Sequence, residues 1–341
     1  DRTVTNMGKN DYKDSLRPAT LDDFQGQAEA VAHLRMVLGA AVQRGEMPDH
    51  ILFSGPPGLG KTTLAQIIAS ELGCELIVTS GPALERPGDL AAVLSGVPAR
   101  SVVFIDEIHR LPIQVEEILY PAMEDGVLDF VVGDGIKART VRLPLQPLCI
   151  VGATTQAGAL SSPLRDRFGF QTRLNLYNED DLTGIVTRSA GLLGLVLEED
   201  GARIVAGRSR GTPRIANSMC RRVRDFAQIN QFETVDAKRA VQALEAFGID
   251  SLGLDALGID VLRSLCVKFG GGPVGSATLA ASVGESTNTL TEVYEPYLMH
   301  QNLLQRTPRG RVATQKAYEH LGIPVPAIVE IRDEQPTLGI E

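Results

Sequence analysis

The chain contains 341 residues, of which 43% are hydrophobic and 22% are charged, and its formal net charge is −9. This length accommodates about two or three domains with their own cores, and the composition excludes a fibrous or largely disordered chain. The negative net charge excludes a surface that is basic throughout, although a local basic stripe suffices to bind nucleic acid.

The cysteines, Cys74, Cys149, Cys220 and Cys266, are widely spaced and show no paired pattern. They predict buried or incidental thiols in a reducing compartment, and they disfavour a disulfide framework or a zinc site. No apolar run approaches the ~18 residues of a membrane span. The N-terminal residues contain no apolar signal core. The expected location is the cytoplasm.

Residues 55–62 have the spacing Gly-x-x-x-x-Gly-Lys-Thr of a phosphate-binding loop. An apolar run at 50–53 precedes the loop and a helix-compatible run at 63–69 follows it, which is the context that the motif requires. The glycines let backbone N–H groups face anionic oxygens, and the helix N-terminus adds its positive end. Lys61 is predicted to contact the β- and γ-phosphates, and Thr62 the Mg²⁺ ion. The alternative, a glycine-rich turn that happens to carry Lys-Thr, does not explain this context.

Residues 101–107 form a short apolar run that ends in Asp106 and Glu107. The run predicts a buried parallel strand, whose final acids face the ligand crevice of an α/β sheet. Asp106 would hold Mg²⁺ through water, and Glu107 would polarise the attacking water. Alternatively, the two acids only open the following loop.

Two extended runs, 128–132 and 136–143, flank a glycine-rich turn and predict a β-hairpin. The hairpin is either a stabilising surface ribbon or a docking surface. In the second case, exposed apolar residues such as Ile136 and Val141 would form a protein interface.

A further buried strand is predicted at 148–155, where Thr154 either contacts the γ-phosphate or the attacking water, or only satisfies its own turn. Arg165 and Arg167 follow in a loop. A guanidinium there can stabilise a transferring phosphoryl group, including one bound to a neighbouring subunit, or it can form a surface ion pair.

Residues 211–214 predict a helix start with Thr212 as N-cap and Pro213 in the first position. Arg214 then opposes the helix dipole, so it needs either solvent or an anionic partner such as phosphate. Four helices are predicted in this region, at 182–195, 199–208, 213–228 and 236–247.

The C-terminal region predicts a helix at 259–269, a helix-turn-helix at 276–283 and 285–298, and a hairpin of 303–306 with 311–314. This order is that of a winged helix. The apolar stripe Leu290, Val293, Tyr297 and Leu298 is predicted to be core.

Arg306, Arg309 and Arg311 crowd the predicted wing, where DNA phosphates would relieve their mutual repulsion. A solvated turn is the alternative. The preceding helix carries Glu285, Glu292 and Glu295, which disfavours base reading by that helix and favours contact with DNA of any sequence.

These motifs occur in the order of the AAA+ ATPases. More narrowly, the chain resembles the RuvB family of bacterial motors, which drive branch migration of Holliday junctions. The resemblance covers about residues 14–323 and is carried by six stretches: 55–63, 104–111, 119–125, 152–169, 211–217 and 305–311.

The resemblance implies an α/β fold: an AAA+ P-loop NTPase domain with a parallel sheet, a small helical lid domain and a winged-helix DNA-binding domain. The expected bounds are 1–177 for the ATPase domain with its hairpin at about 128–143, 178–248 for the lid, and 251–323 for the winged-helix head. Residues 324–341 are expected to be a flexible tail.

The resemblance also implies roles for matching residues. Leu16 and Arg17 would lie on the adenine side, Arg167 would reach the nucleotide of a neighbour, and Thr154 and Arg214 would be the two sensors. Gly126 stands where some relatives have a larger residue, so only its backbone would contact nucleotide. The implied residues of hydrolysis are Lys61, Asp106, Glu107, Thr154, Arg167 and Arg214. The implied nucleotide contacts are Leu16, Arg17, Gly58, Gly60, Lys61, Thr62, Thr63, Glu124, Asp125, Gly126, Arg167, Tyr177 and Arg214. Thr62 and Asp106 would serve Mg²⁺, and Arg306, Arg309 and Arg311 would contact DNA.

The implied activity is ATP hydrolysis by a homohexamer that moves duplex DNA, with Mg²⁺ as cofactor and ADP as product. The implied partners are Holliday junction DNA, RuvA through the 128–143 hairpin, and RuvC in a resolution complex. The setting would be homologous recombination, DNA repair and the SOS response. The alternatives are a clamp-loader or initiator ATPase, a DNA-binding regulator with a vestigial nucleotide fold, and a protein unfoldase.

Overall fold

The computed structural model describes residues 16–132 and 139–326. The described residues divide into two compact units, with the boundary between Ile185 and Val186.

The first unit is built on a five-stranded parallel sheet. Its strands are β1 (Ile51–Ser54), β2 (Glu75–Ser80), β3 (Ser101–Asp106), β6 (Leu148–Thr154) and β7 (Phe170–Arg173). They lie in the order β2-β3-β6-β1-β7. The central strands β3, β6 and β1 are almost entirely buried, as their continuous apolar runs predict. The edge strands are partly exposed.

Helices cover this sheet and bury its apolar side chains. One core cluster contains Leu90 and Leu94 from a helix beside Val103 and Ile105 of β3. The helices of this unit are α1 (Ala28–Arg44), α2 (Lys61–Glu71), α3 (Pro87–Ser95), α4 (Ile113–Glu124) and α5 (Ser162–Asp166). Since strands alternate with helices, the carboxyl ends of the parallel strands share one edge of the sheet.

The predicted hairpin is present as the antiparallel strands β4 (Val127–Val132) and β5 (Arg139–Pro144). Asp129 and Arg142 pair across it, with the two guanidinium nitrogens 2.9 and 2.8 Å from the carboxylate oxygens. Ile136 and the side chain of Val141, which were predicted to form an interface, lie outside the described residues.

The second unit starts within α6 (Glu179–Leu192) and continues with α7 (Glu199–Gly207), α8 (Pro213–Ile229) and α9 (Ala237–Ala246). The predicted helices are confirmed with small shifts at their ends. The buried face of α8 has helical spacing and consists of Ala216, Met219, Cys220, Val223 and Ala227.

The C-terminal part is a winged helix, as predicted. Its elements are α10 (Ala256–Arg263), α11 (Ser276–Ser282), α12 (Thr287–Thr289), α13 (Glu295–His300), β8 (Leu304–Thr307), β9 (Gly310–Ala313) and α14 (Gln315–Leu321).

The prediction that Val293 is core is wrong, because this side chain is 44% exposed. A π-helical turn, Leu290–Tyr294, joins α12 to α13. The wider turn shifts the inward face by one residue, so Tyr294 is buried in place of Val293.

Among residues 16–132 and 139–326, no helix is both long and apolar enough to cross a membrane.

The environment of His50 predicts that the stability of the first unit depends on pH. Its Nδ1 accepts the Ile150 N–H at 3.0 Å, so the proton is on Nε2, which donates to the carbonyl oxygen of Met123 at 3.1 Å. Burial lowers the pKa of His50 below its ordinary value.

We therefore expect the free energy of unfolding to fall as the pH drops below about 6.5, because the unfolded chain then takes up a proton that the folded ring resists. Urea unfolding at several pH values between 5 and 8 measures this slope. His50→Gln should flatten it, and an identical slope in this variant and the unaltered chain would contradict the assignment.

Candidate nucleotide site and nucleic-acid interface

The phosphate-binding loop connects β1 to α2 in the conformation that its glycines allow. Gly55, Gly58 and Gly60 have φ angles of 133°, 82° and 105°, which are unfavourable for residues with a Cβ. A Cβ at Gly55 would collide with the carbonyl oxygen of Leu174, and one at Gly60 would lie 3.0 Å from the Phe24 ring. Glycine is therefore required at Gly55 by conformation and by space, and it is favoured at Gly60 by conformation.

Lys61 is the first residue of α2 and is only 7% exposed. Its ammonium donates hydrogen bonds to the carbonyl oxygens of Gly55, at 2.7 Å, and Pro56, at 2.9 Å. The charge therefore lies inside the loop. Thr62 and Thr63 follow in the first turn of α2 and are partly exposed. Phosphate oxygens are stronger acceptors for an ammonium than neutral carbonyls are, so this loop fits a phosphate group.

Tyr177 and the segment around Leu16 flank this loop and helix α2. The Tyr177 hydroxyl donates to the carbonyl oxygen of Leu59 at 3.2 Å, and burial raises the pKa of Tyr177, so the hydroxyl stays a donor. Leu16 is buried, and Arg17 donates to Oε1 of Gln66 at 3.1 Å. A cavity of about 280 Å³ lies beside them, lined by Arg17, Pro18, Ala19, Gln66, Ile67 and Ser70.

Asp106 and Glu107 lie at the end of β3. Asp106 is the last strand residue, and its Oδ1 accepts the N–H of Glu107 at 3.0 Å. The predicted strand extended one residue too far, because Glu107 has a left-handed φ of 51°. This conformation is uncommon for a side chain of this size and turns the chain sharply at the strand end.

Thr154 ends β6, which lies between β3 and β1 in the sheet. Its hydroxyl is fully buried and accepts the N–H of Gln156 at 3.0 Å, so it does satisfy its own turn. It also lies 2.9 Å from Nδ1 of His109. The topology thus brings Lys61, Asp106, Glu107 and Thr154 to one edge of the sheet.

His109 is a residue of this site that the sequence analysis missed. Its Nε2 lies 3.5 Å from Oε2 of Glu107, and its side chain is 7% exposed. The signal that the sequence offered is a titratable ring two residues after Glu107, in the turn between Ile108 and Leu111.

Arg167 directly follows α5 and is held by its own subunit. Its Nη1 donates to the carbonyl oxygen of Pro163 at 2.6 Å, and its Nη2 pairs with Glu124 at 3.0 Å. The guanidinium carbon lies 4.4 Å from the centroid of the Tyr120 ring. Glu124 and Arg167, both predicted to contact nucleotide, are therefore adjacent. Asp125 and Gly126 follow Glu124 at the C-terminal end of α4.

Arg165 has a different environment, since it donates to the carbonyl oxygens of Ala157 and Leu160. It fixes the loop before α5.

Arg214 is exposed in the first turn of α8, as predicted. Thr212 occupies the N-cap position but forms no side-chain cap, and its hydroxyl donates to the carbonyl oxygen of Arg210 at 3.0 Å.

The wing arginines differ from the prediction in how their mutual repulsion is relieved. Glu295, which is 1% exposed, accepts hydrogen bonds from both Arg306, at 2.6 Å, and Arg311, at 2.7 and 3.1 Å. The repulsion between these arginines is therefore relieved within the chain, not only by an external phosphate. Arg306 is still 50% exposed on its side chain, Arg311 is 13% exposed, and Arg309 is exposed in the turn.

Comparisons with known proteins match nearly the whole described chain. Three family models match in sequence: the Holliday junction DNA helicase RuvB P-loop domain at residues 16–174, the RuvB AAA lid domain at 177–250, and the RuvB C-terminal winged helix domain at 251–322.

The chain is 54% identical over 310 residues to the Holliday junction branch migration complex subunit RuvB of Oleidesulfovibrio alaskensis, covering 91% of this chain and 97% of that protein. The Thermotoga maritima RuvB Holliday junction branch migration motor matches in structure with a TM-score of 0.84 and 46% identity, over 92% of this chain and 100% of that one. A variant of the Thermotoga protein matches with a TM-score of 0.85.

Proposed function

This chain belongs to the RuvB family, and from that premise we propose that it is an ATP-driven motor for the branch migration of Holliday junctions. The observation that carries the proposal is the group of side chains at one edge of the parallel sheet. Lys61 lies in a phosphate-binding loop, Asp106 and Thr154 end the neighbouring strands β3 and β6, and Glu107 directly follows Asp106. An intact set of this kind disfavours a regulator with a vestigial nucleotide fold.

The nucleotide is proposed to be ATP, bound with Mg²⁺ and released as ADP. Among the described residues, no group of three or more His, Cys, Asp or Glu side chains could hold a metal ion. A magnesium ion at this site would therefore rely on phosphate oxygens and water in addition to Thr62 and Asp106. Leu16, Arg17 and Tyr177 would flank the base.

The active assembly is proposed to be a homohexamer around duplex DNA. Arg167 would complete the ATP site of the next subunit, and Arg214 would respond to the phosphates within its own subunit. We divide the chain into an ATPase domain (1–177), a lid (178–248) and a winged-helix head (251–323). Hydrolysis would change the angle between the first two domains and move the heads along the DNA.

The hairpin of β4 and β5 is proposed to dock RuvA, which would hold the junction while the ring pulls DNA. RuvC would join in a resolution complex. Recombination, DNA repair and the SOS response follow as the setting, in the cytoplasm. A pull-down with RuvA after Ile136 and Val141 are both changed to Ser tests the hairpin, and undiminished capture would remove this assignment.

For the wing, we expect Arg309→Ala and Arg311→Ala to have different effects. Each substitution should weaken the binding of DNA of any sequence. Each should also reduce the steepness with which log affinity falls with log salt concentration by about 1, as expected for the loss of one phosphate contact. Only Arg311→Ala should also destabilise the head, by about 1.5–3 kcal/mol, because it removes charge-assisted hydrogen bonds from the buried Glu295.

Fluorescence anisotropy with labelled duplexes at several salt concentrations, and thermal unfolding, measure the two effects. An Arg309→Ala variant with the affinity and salt slope of the unaltered chain would remove Arg309 from the DNA contact.

The central experiment is ATP-driven branch migration of a synthetic four-way junction, with and without RuvA. Lys61→Ala is the inactive control, because the loop then lacks its ammonium. Junction migration by the unaltered chain, but not by Lys61→Ala, supports the motor. Stable loading on DNA without sustained turnover would instead favour a clamp-loader type of ATPase.

A further inference from the structure

His109 is buried between two side chains to which the proposed reaction assigns roles. Its Nδ1 lies 2.9 Å from Oγ1 of Thr154, and its Nε2 lies 3.5 Å from Oε2 of Glu107. The left-handed conformation of Glu107 and the short 3-10 helix Ile108–Arg110 bring the ring back to this position. His50, a partly buried histidine of the same unit, forms hydrogen bonds with backbone groups, the Ile150 N–H and the Met123 carbonyl oxygen.

The carboxylate of Glu107 can only accept hydrogen bonds, so it favours a proton on Nε2 of the neutral His109 ring. Nδ1 is then the acceptor for the one proton of the Thr154 hydroxyl, whose oxygen also accepts the N–H of Gln156. When that proton is donated to Nδ1 of His109, the proton of the neutral ring is on Nε2. The ring then presents an N–H group to the carboxylate of Glu107.

A γ-phosphate at this edge of the sheet competes for the same hydroxyl proton. If Thr154 donates its proton to a phosphate oxygen, Nδ1 of His109 loses its hydrogen-bond donor. The tautomer and ring orientation that direct Nε2–H at Glu107 are then less stable. The hydrogen bond that the ring offers the carboxylate therefore changes with phosphate contact, and the orientation of Glu107 toward the attacking water changes with it.

We infer that His109 is a positioning residue that couples the hydroxyl of Thr154 to the carboxylate of Glu107, so that phosphate contact at Thr154 sets the orientation of the general base. This inference rests on the proposed ATP hydrolysis. His109 itself touches neither the phosphate nor the water in this arrangement.

The experiment compares three replacements of His109. Phe removes the polar contacts of the ring with Thr154 and Glu107. The side-chain amide of Asn lies near the position of Nδ1, and the side-chain amide of Gln lies near the position of Nε2. For each, kcat and KM for ATP hydrolysis and the Kd of a fluorescent Mg·ADP analogue are measured. We expect His109→Phe to lower kcat by about 10–10²-fold, the scale of a misplaced catalytic group, with Kd unchanged within about threefold. Asn and Gln should each restore part of kcat.

A double-mutant comparison separates coupling from general damage. Thr154→Val should lower kcat by a clearly larger factor in the unaltered chain than in the His109→Phe chain, because the second background has already lost the link. His50→Gln is the matched control. It should alter the unfolding midpoint and leave kcat unchanged at temperatures where the protein is folded.

The inference is overturned if His109→Phe keeps kcat within about twofold of the unaltered chain, or if Thr154→Val costs the same factor in both backgrounds. If His109→Phe does not fold, the His109→Asn and His109→Gln variants provide the test. An unchanged kcat in both variants overturns the inference, and a partial loss of kcat in both supports it. Absence of ATP hydrolysis by the unaltered chain would overturn the proposed function first, and this inference with it.

Discussion

Glu107→Gln is expected to lower the kcat for ATP hydrolysis by about 10²–10⁴-fold, the usual contribution of a general base, while Mg·ATP still binds. Gln has nearly the same shape as Glu but cannot take a proton from water. The Glu107 side chain is 30% exposed at the end of β3, so water can reach it. Phosphate release in the steady state gives kcat, and a fluorescent ATP analogue gives the affinity.

Two further variants distinguish the loss of a general base from the loss of nucleotide binding and from the loss of any nearby carboxylate. Lys61→Ala should weaken nucleotide binding itself, since the ammonium within the loop is lost. Glu117→Gln is the matched control, because this nearby carboxylate is exposed on α4 and should not affect kcat. If Glu107→Gln hydrolyses ATP at more than about half the normal rate, another group activates the water.

The central strands of the sheet were predictable because each one has a clear sequence pattern. β1, β3 and β6 are apolar runs that end at chemically distinctive residues, and their burial on both faces follows from that composition. β2 and β7 escaped prediction because they are edge strands, partly exposed and mixed in polarity. A short strand of mixed polarity shows no hydrophobic periodicity that distinguishes its sequence from that of a loop.

Contacts made by unusual backbone geometry were not predictable. His109 reaches Glu107 and Thr154 only because Glu107 adopts a left-handed conformation that propensity disfavours. A π-helical turn reassigns the core position from Val293 to Tyr294. Glu295 was grouped with the acids of a presumed DNA-facing helix, whereas its contacts join residues 11 and 16 positions away in sequence. Such partners depend on tertiary packing.

Arg167→Ala is expected to lower ATP hydrolysis by about 10³–10⁵-fold, the range for an arginine that stabilises a transferring phosphoryl group. The residue is preorganised by the Pro163 carbonyl and the Tyr120 ring. Its pair with Glu124 is weak enough to exchange, because the Glu124 side chain is 55% exposed and such pairs contribute about 0–1 kcal/mol. Arg167→Lys keeps the charge without the planar guanidinium, and it should remain strongly impaired.

A mixture of two inactive variants tests whether Arg167 acts on a neighbouring subunit. Glu107→Gln supplies an intact Arg167, and Arg167→Ala supplies an intact Glu107. In an equal mixture of cyclic oligomers, about a quarter of the sites combine both intact groups across an interface. Hydrolysis well above that of either variant alone is therefore the expected result. If Arg167 served its own subunit instead, every site would lack one group and the mixture would stay as inactive as its components.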